Sequence, residues 1–290
     1  MFLDPGRIDS LVDPARLVDD VARVLTGDAT APLRASLEHR GSWLGAMPAG
    51  GLGYFAVKVV GVYPGNPARQ LPLVRGVLLL FDAETGELLM EADAAPATGW
   101  RTAAASALAL RIMGYRGGGT VGIIGAGVQG DYHARVLARI YGYDELLVYS
   151  RTMSRAEKLA EKHGGRAASL EELLRRSDVV VAATTSQKPV VLGRLLKEGA
   201  LVVSVGAPRP VRELDAETVA RAGCVLVDTR EGVSSESDDV EGAERLVELG
   251  EALRGEACRY REVGVYKSVG TALFDLAVAI HLYERLQASP

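Results

Sequence analysis

The chain has 290 residues, enough for one large or two modest cores, and its 48% hydrophobic and 24% charged content is that of an ordinary globular protein. A net charge of −4 without any basic block excludes nucleic acid as an expected partner. Apolar runs are strand-length or broken by Gly, so no membrane span is expected, and Met1 to Ser10 lacks a signal-peptide apolar core.

In chain order, Leu11, Ala15, Val18, Ala22 and Leu25 recur at helical spacing and predict a helix over 11–25. Short β-like segments follow at 43–47, 54–60, 74–81 and 88–92. The last two flank Asp82 to Glu87, a hairpin turn in which Gly86 can take positive φ. Strands without intervening helices point to an antiparallel sheet. A helix of very small residues is expected over 101–114, opened by Arg101. From Thr120 strand and helix alternate, with continuous Val/Ile/Leu strands at 120–124, 146–150, 178–183, 201–205 and 224–228. That pattern predicts a doubly wound parallel sheet covered on both faces. Glu231 to Asp239, rich in Ser and acid, is expected to be a solvated loop near the active cleft. A last helix over 271–287 places Leu273, Leu276, Ala277, Ile280 and Tyr283 on one face and is expected to return to the N-terminal sheet. The fold class expected is therefore α/β: a Rossmann domain over 113–264 beside a discontinuous α+β domain made of 1–112 and 265–290.

Cys224 and Cys258 cannot build a disulfide framework and form no C-x-x-C pair, which leaves a reducing cytoplasm as the expected location. His39, His133, His163 and His281 lie far apart without ligand spacing, so no metal site is expected.

The chemistry begins at Gly125-Ala126-Gly127-Val128-Gln129-Gly130. Alone, G-x-G-x-x-G is a weak signal, but here it follows strand 120–124 and opens a helix running to about Tyr141, the context of a dinucleotide loop. Gly125 permits the tight turn, Gly127 the approach of a pyrophosphate, and Gly130 close helix–strand packing. The helix N-terminus then supplies N–H donors and partial positive charge. The second strand would end in a carboxylate if the ribose 2′-hydroxyl were bound. It ends instead in Ser150-Arg151-Thr152, with Arg155 beyond. Two guanidiniums suit a 2′-phosphate, which favours NADP(H) over NAD(H). The alternative is that Arg151 and Arg155 are solvated charges in a chain of 27 Arg and 6 Lys.

Lys58 lies inside the apolar strand 54–60, sharing a pleat face with Ala56 and Val60. By itself it would be expected to point to water. Arg at a helix start opposes the helix dipole, so Arg101 invites an anionic partner. Arg34 follows Pro32-Leu33 in a loop, where a surface role is the default.

Together these pieces resemble the ornithine cyclodeaminase/mu-crystallin family over nearly the whole chain. Trp43 to Ala49 is similar to its Met-Pro-Ala segment, Lys58 to its strand lysine, and Arg101-Thr102-Ala103-Ala104 to its R-T-A-A helix. The nucleotide loop matches too, as do Val205 to Leu214, similar to its G-x-x-x-P…R-E-L loop, and Lys267-Ser268-Val269-Gly270, similar to its K-S-hydrophobic-G. The resemblance implies a homodimer joined through the N-terminal sheet and a small α-imino or α-amino acid as substrate. It places Arg34, Lys58, Arg101 and Val269 at the substrate, in a cleft between domains, with Lys58 and Arg101 catalytic. It places Arg101, Gly125 to Gln129, Ser150, Arg151, Thr152, Arg155, Thr184, Val205, Gly206, Ala207 and Ser268 at the cofactor.

Deaminating members of the family carry an Asp two positions after the glycine of the G-x-x-x-P loop, where this chain has Pro208. Mu-crystallin-like members also lack that Asp and carry an N-R-T-like triplet, similar to Ser150-Arg151-Thr152. Oxidising an α-ammonium group requires a base. A protonated cyclic ketimine such as Δ1-pyrroline-2-carboxylate needs positioning and carboxylate neutralisation instead. The expected function is NAD(P)H-dependent reduction of a small α-imino acid. The rivals are an ornithine cyclodeaminase or alanine dehydrogenase, and a non-catalytic NADPH-binding protein. Should Asp228 or Glu213 stand in for the missing acid, the deaminase returns; Glu213 is expected to be structural, pairing with Arg212 or capping the helix that follows.

Overall fold

A computed structural model describes residues 2–288, which divide into two compact units, 2–105 with 271–288 and 106–270.

The first unit opens with β1 (Phe2–Leu3), α1 (Pro5–Leu11) and α2 (Pro14–Thr26). The single helix expected over 11–25 is thus two. Pro14 lacks the N–H that would continue α1, and Asp13 restarts the chain by accepting from Ala15 and Arg16 N–H. Next come β2 (Ala35–His39), β3 (Ser42–Gly51), β4 (Tyr54–Val62), β5 (Val74–Asp82) and β6 (Leu88–Asp93) in one sheet of order β1-β6-β5-β4-β3-β2. All its pairings are antiparallel except β1 with β6. Gly86 closes the β5–β6 hairpin at φ +74, and Asp82 Oδ1 accepts from Glu84 and Thr85 N–H.

The unit's remaining helices are the first part of α3 (Ala94–Ile112) and the closing α10 (Ala272–Gln287), which packs on β3, β4, β5 and α2. Arg101 does not open α3 but stands in its middle. Pro96 and Gly99 read as breakers, yet Pro is tolerated in a first turn. One face of the sheet buries Met47, Lys58 and Leu78 in register, then Ala49, Ala56 and Leu80. The opposite face aligns Ala46, Val59 and Val77, then Pro48, Val57 and Leu79, then Phe55 and Phe81. These stay half-buried or exposed, Phe55 at 52%.

The second unit holds β7 (Thr120–Ile124), α4 (Val128–Ile140), β8 (Glu145–Tyr149), α5 (Met153–Lys162), β9 (Arg166–Ala167), α6 (Leu170–Arg176), β10 (Val179–Ala182), β11 (Leu201–Ser204), α7 (Ala216–Ala222), β12 (Cys224–Val227), α8 (Arg230–Glu236), β13 (Arg245–Glu248), α9 (Leu249–Leu253) and β14 (Gly264–Lys267). Its sheet is parallel throughout, in the order β13-β12-β14-β11-β10-β7-β8-β9. Every residue of β10, β11, β12 and β14 is buried, as helices on both faces require. Strand order reverses at β7 and β10, the place where such sheets bind ligands beyond their carboxyl ends.

Two expectations change here. Glu231 to Asp239 is not a solvated loop: most of it is α8, capped by Thr229, and Gly232, Val233, Ser237 and Asp239 are buried. Its polar composition conceals a buried ion pair, described below. Cys224 and Cys258 form a disulfide, which withdraws the argument from cysteine usage for a reducing compartment. Among the described residues, no helix is long and apolar enough to cross a membrane, and no His, Cys, Asp and Glu cluster could hold a metal.

Candidate functional site

The dinucleotide loop has the geometry its glycines require. Gly125 sits at φ +110, and a Cβ there would lie 2.3 Å from the Ala183 carbonyl oxygen. A Cβ on Gly130 would lie 2.1 Å from the Gly125 oxygen, so helix and strand approach closely only with glycine. Gly127 is the N-cap of α4, makes no side-chain cap, and would point a Cβ into open space. The first N–H groups of α4 therefore face that space with the positive end of the helix dipole. Gln129 Oε1 is buried there without a hydrogen-bond partner. A cradle of N–H donors plus an orphaned acceptor fits a pyrophosphate carrying hydroxylated riboses.

Ser150 to Thr152 follow β8 directly, and Thr152 caps α5 without a side-chain hydrogen bond. No carboxylate ends β8. Arg151 and Arg155 are exposed, and neither guanidinium has a partner among the described residues. Arg166, Arg175, Arg176, Arg230 and Arg261 by contrast are all ion-paired.

Thr184, Gly206, Ser268 and Val269 stand just past β10, β11 and β14, and buried carboxylates fix them. Glu213 accepts from Thr184 N–H at 2.6 Å, Thr184 Oγ1 at 2.8 Å, Ser204 Oγ at 2.7 Å and Gly206 N–H at 2.8 Å. It neither pairs with Arg212 nor caps the next helix; Asp215 caps α7. Asp239 accepts from the N–H groups of Glu213 and Leu214 and pairs with Lys267, which donates to Ser204 Oγ and to the Gly206 carbonyl. Asp228 accepts from Ser268 Oγ and from the N–H groups of Val269 and Gly270, while its other oxygen accepts from Thr229 N–H. A carboxylate so engaged holds the K-S-V-G turn and is not poised as a base. Between Val205-Gly206-Ala207 and Val211, Pro208 and Pro210 both follow cis peptide bonds. Arg209 anchors this loop on the Ser234, Ser235 and Ser237 carbonyls and on Asp238.

In the first unit Lys58 does not point to water. It is 2% exposed, and its Nζ donates to Asp275 Oδ1 at 2.9 Å. Arg101 Nε lies 3.2 Å from the same oxygen. The anionic partner expected of Arg101 therefore exists and belongs to the protein. Burial pushes the Lys58 ammonium down to about 8; Asp275 opposes that shift, and Arg101 and Arg34 add to it. Arg34 is half-buried in the segment before β2. Sequence reasoning missed Asp275. The available signal was a lone carboxylate amid Ala272, Leu273, Phe274 and Leu276 in a helix whose first eleven residues are nearly all buried.

The chain resembles several characterised proteins along most of its length. Ketimine reductase mu-crystallin of Rattus norvegicus is 36% identical over 270 residues, covering 89% of this chain and 86% of that protein. The Thermococcus litoralis Δ(1)-pyrroline-2-carboxylate reductase, solved with NADH and L-proline, superposes with a TM-score of 0.89 at 32% identity, covering 99% and 98% of the two chains. An archaeal alanine dehydrogenase dimer with bound NAD gives 0.86 at 30% identity, covering 99% and 96%. Residues 9–290 match the pattern of the Ornithine cyclodeaminase/mu-crystallin family, and the chain belongs to that family.

Proposed function

We propose that this chain reduces a small cyclic α-imino acid, of the type of Δ1-pyrroline-2-carboxylate, to the L-amino acid with a nicotinamide cofactor. The observation that carries this reading is the state of the carboxylates beside the nucleotide site. Pro208 stands where deaminating relatives are expected to have Asp, and the nearby buried Asp228 and Glu213 are saturated by N–H and O–H donors. Oxidative deamination needs a group to take a proton, whereas reduction needs a proton already on the imine nitrogen or given to it.

Arg34, Lys58 and Arg101 hold and neutralise the substrate carboxylate. Asp275 cancels one of the three positive charges, so a net attraction for a monoanion remains. The cofactor rests on Gly125 to Gln129, with Thr184, Val205 to Ala207 and Ser268 at its nicotinamide side. When bound, it supplies the hydride. Arg151 and Arg155 favour NADP(H), because two unpaired guanidiniums beside the open N-terminus of α5 suit a 2′-phosphate. The half-exposed apolar face of the six-stranded sheet supports a homodimer, since a contiguous patch of this kind marks an association surface.

The deciding experiment supplies purified protein with NADPH and Δ1-pyrroline-2-carboxylate, and separately with ornithine or alanine and NAD(P)+. Cofactor oxidation with proline formation, at least about 10²-fold faster than ammonia release, is the expected result. Faster ammonia release would return the chain to the deaminating branch, and cofactor binding without turnover to a binding role.

A further inference from the structure

Asp275 accepts nothing at Oδ2, which is buried without a hydrogen-bond partner, while Oδ1 meets both Lys58 and Arg101. A buried carboxylate held this sparsely is costly unless its neighbouring cations compensate it. Here the compensation is mutual. Three charged side chains face Lys58: Asp275 from α10, Arg101 from α3, and Arg34 from the segment before β2. Only Asp275 favours the ammonium; burial and both guanidiniums oppose it.

We propose that Asp275 is the positioning residue of the reduction: from the closing helix it fixes Lys58 beside Arg101 and keeps Lys58 protonated, so that Lys58 serves as proton donor to the imine nitrogen. This rests on the reductase reading above. Hydride adds to the carbon of the C=N bond, and the π pair becomes a lone pair on nitrogen. Lys58 Nζ gives that nitrogen one proton, leaving an amine product and a neutral lysine that water reprotonates. Without Asp275, burial and two guanidiniums would both favour the neutral amine, which has no proton to give.

The sequence has only six lysines, so an NMR titration of protein carrying 13Cε-lysine resolves them, with Lys58 assigned from Lys58→Met. Two variants move Lys58 in opposite directions. Asp275→Asn removes the stabilising charge and lowers its titration midpoint by about 1 pH unit or more. Arg101→Gln removes an opposing charge and raises it. The alkaline limb of kcat/KM for Δ1-pyrroline-2-carboxylate follows in the same directions, and Asp275→Glu restores it toward the parent. An unmoved midpoint, or a shift of the same sign in both variants, overturns the assignment, because general damage cannot produce opposite signs. Should Asp275→Asn fail to fold, Asp275→Ser takes its place in the same two-way comparison. If the midpoints move as expected while the parent reduces no imine, the reductase reading falls, and Asp275 still sets the charge of Lys58.

Discussion

Lys267 and Asp239 form an ion pair of 2.7 Å in which both side chains are wholly inaccessible to solvent. Asp239 also holds the backbone that presents Glu213, and Lys267 holds the residues that Glu213 binds. Removing one member strands the other. Lys267→Met should cost about 3–5 kcal/mol, as for other broken buried pairs, visible as a lowered urea midpoint. A loss under about 0.5 kcal/mol would show that the pair is dispensable.

If Arg151 binds the 2′-phosphate as proposed, Arg151→Ala should weaken NADPH binding by about 1–3 kcal/mol and leave NADH binding nearly unchanged. Fluorescence titration with both cofactors measures the difference. Equal losses would mean that Arg151 senses the shared part of the dinucleotide.

The Cys224–Cys258 bond closes a span of 34 residues around β12, β13 and α9. Constraining a loop of that size in the unfolded chain contributes about 4 kcal/mol in the chain-entropy account. Dithiothreitol, or Cys258→Ser, should lower the unfolding midpoint accordingly, and dithiothreitol should do nothing further to the variant.

His133 is wholly buried on α4, between the Gln129 carbonyl and Ser106 Oγ. Burial holds it neutral and pushes it down from 6.5 to about 4. Its folded-state value is depressed, so its contribution is complete above pH 6.5 and is lost as pH falls toward 4. Between pH 7 and 5 the chain should lose on the order of 2 kcal/mol through this residue. The measurement is the denaturant midpoint at both pH values. His133→Gln should flatten the difference; an equally steep fall in the variant would assign the loss elsewhere.

What the sequence revealed follows from how each feature is encoded. Buried parallel strands such as Val179–Ala182 announce themselves because burial on both faces demands unbroken apolar runs. The nucleotide loop was legible because its glycines have a local steric cause. By contrast β2 is exposed at all five positions and carries no alternation, β13 has a charged residue at each end, and β14 opens on Gly264 and closes on Lys267. The partners of Lys58 and Lys267 lie 217 and 28 residues away along the chain, so only the fold could pair them. Serine and acid around Asp239 read as surface for that reason.

β14 pairs with β11 on one side and β12 on the other, although it is the last strand in the chain. Until Lys267 has been synthesised, the central region of the parallel sheet has a slot in it and two unsatisfied edges. A folding chain that has formed β11 and β12 therefore carries unpaired N–H and C=O groups along both until β14 inserts between them, and those edges are open to association with other chains meanwhile.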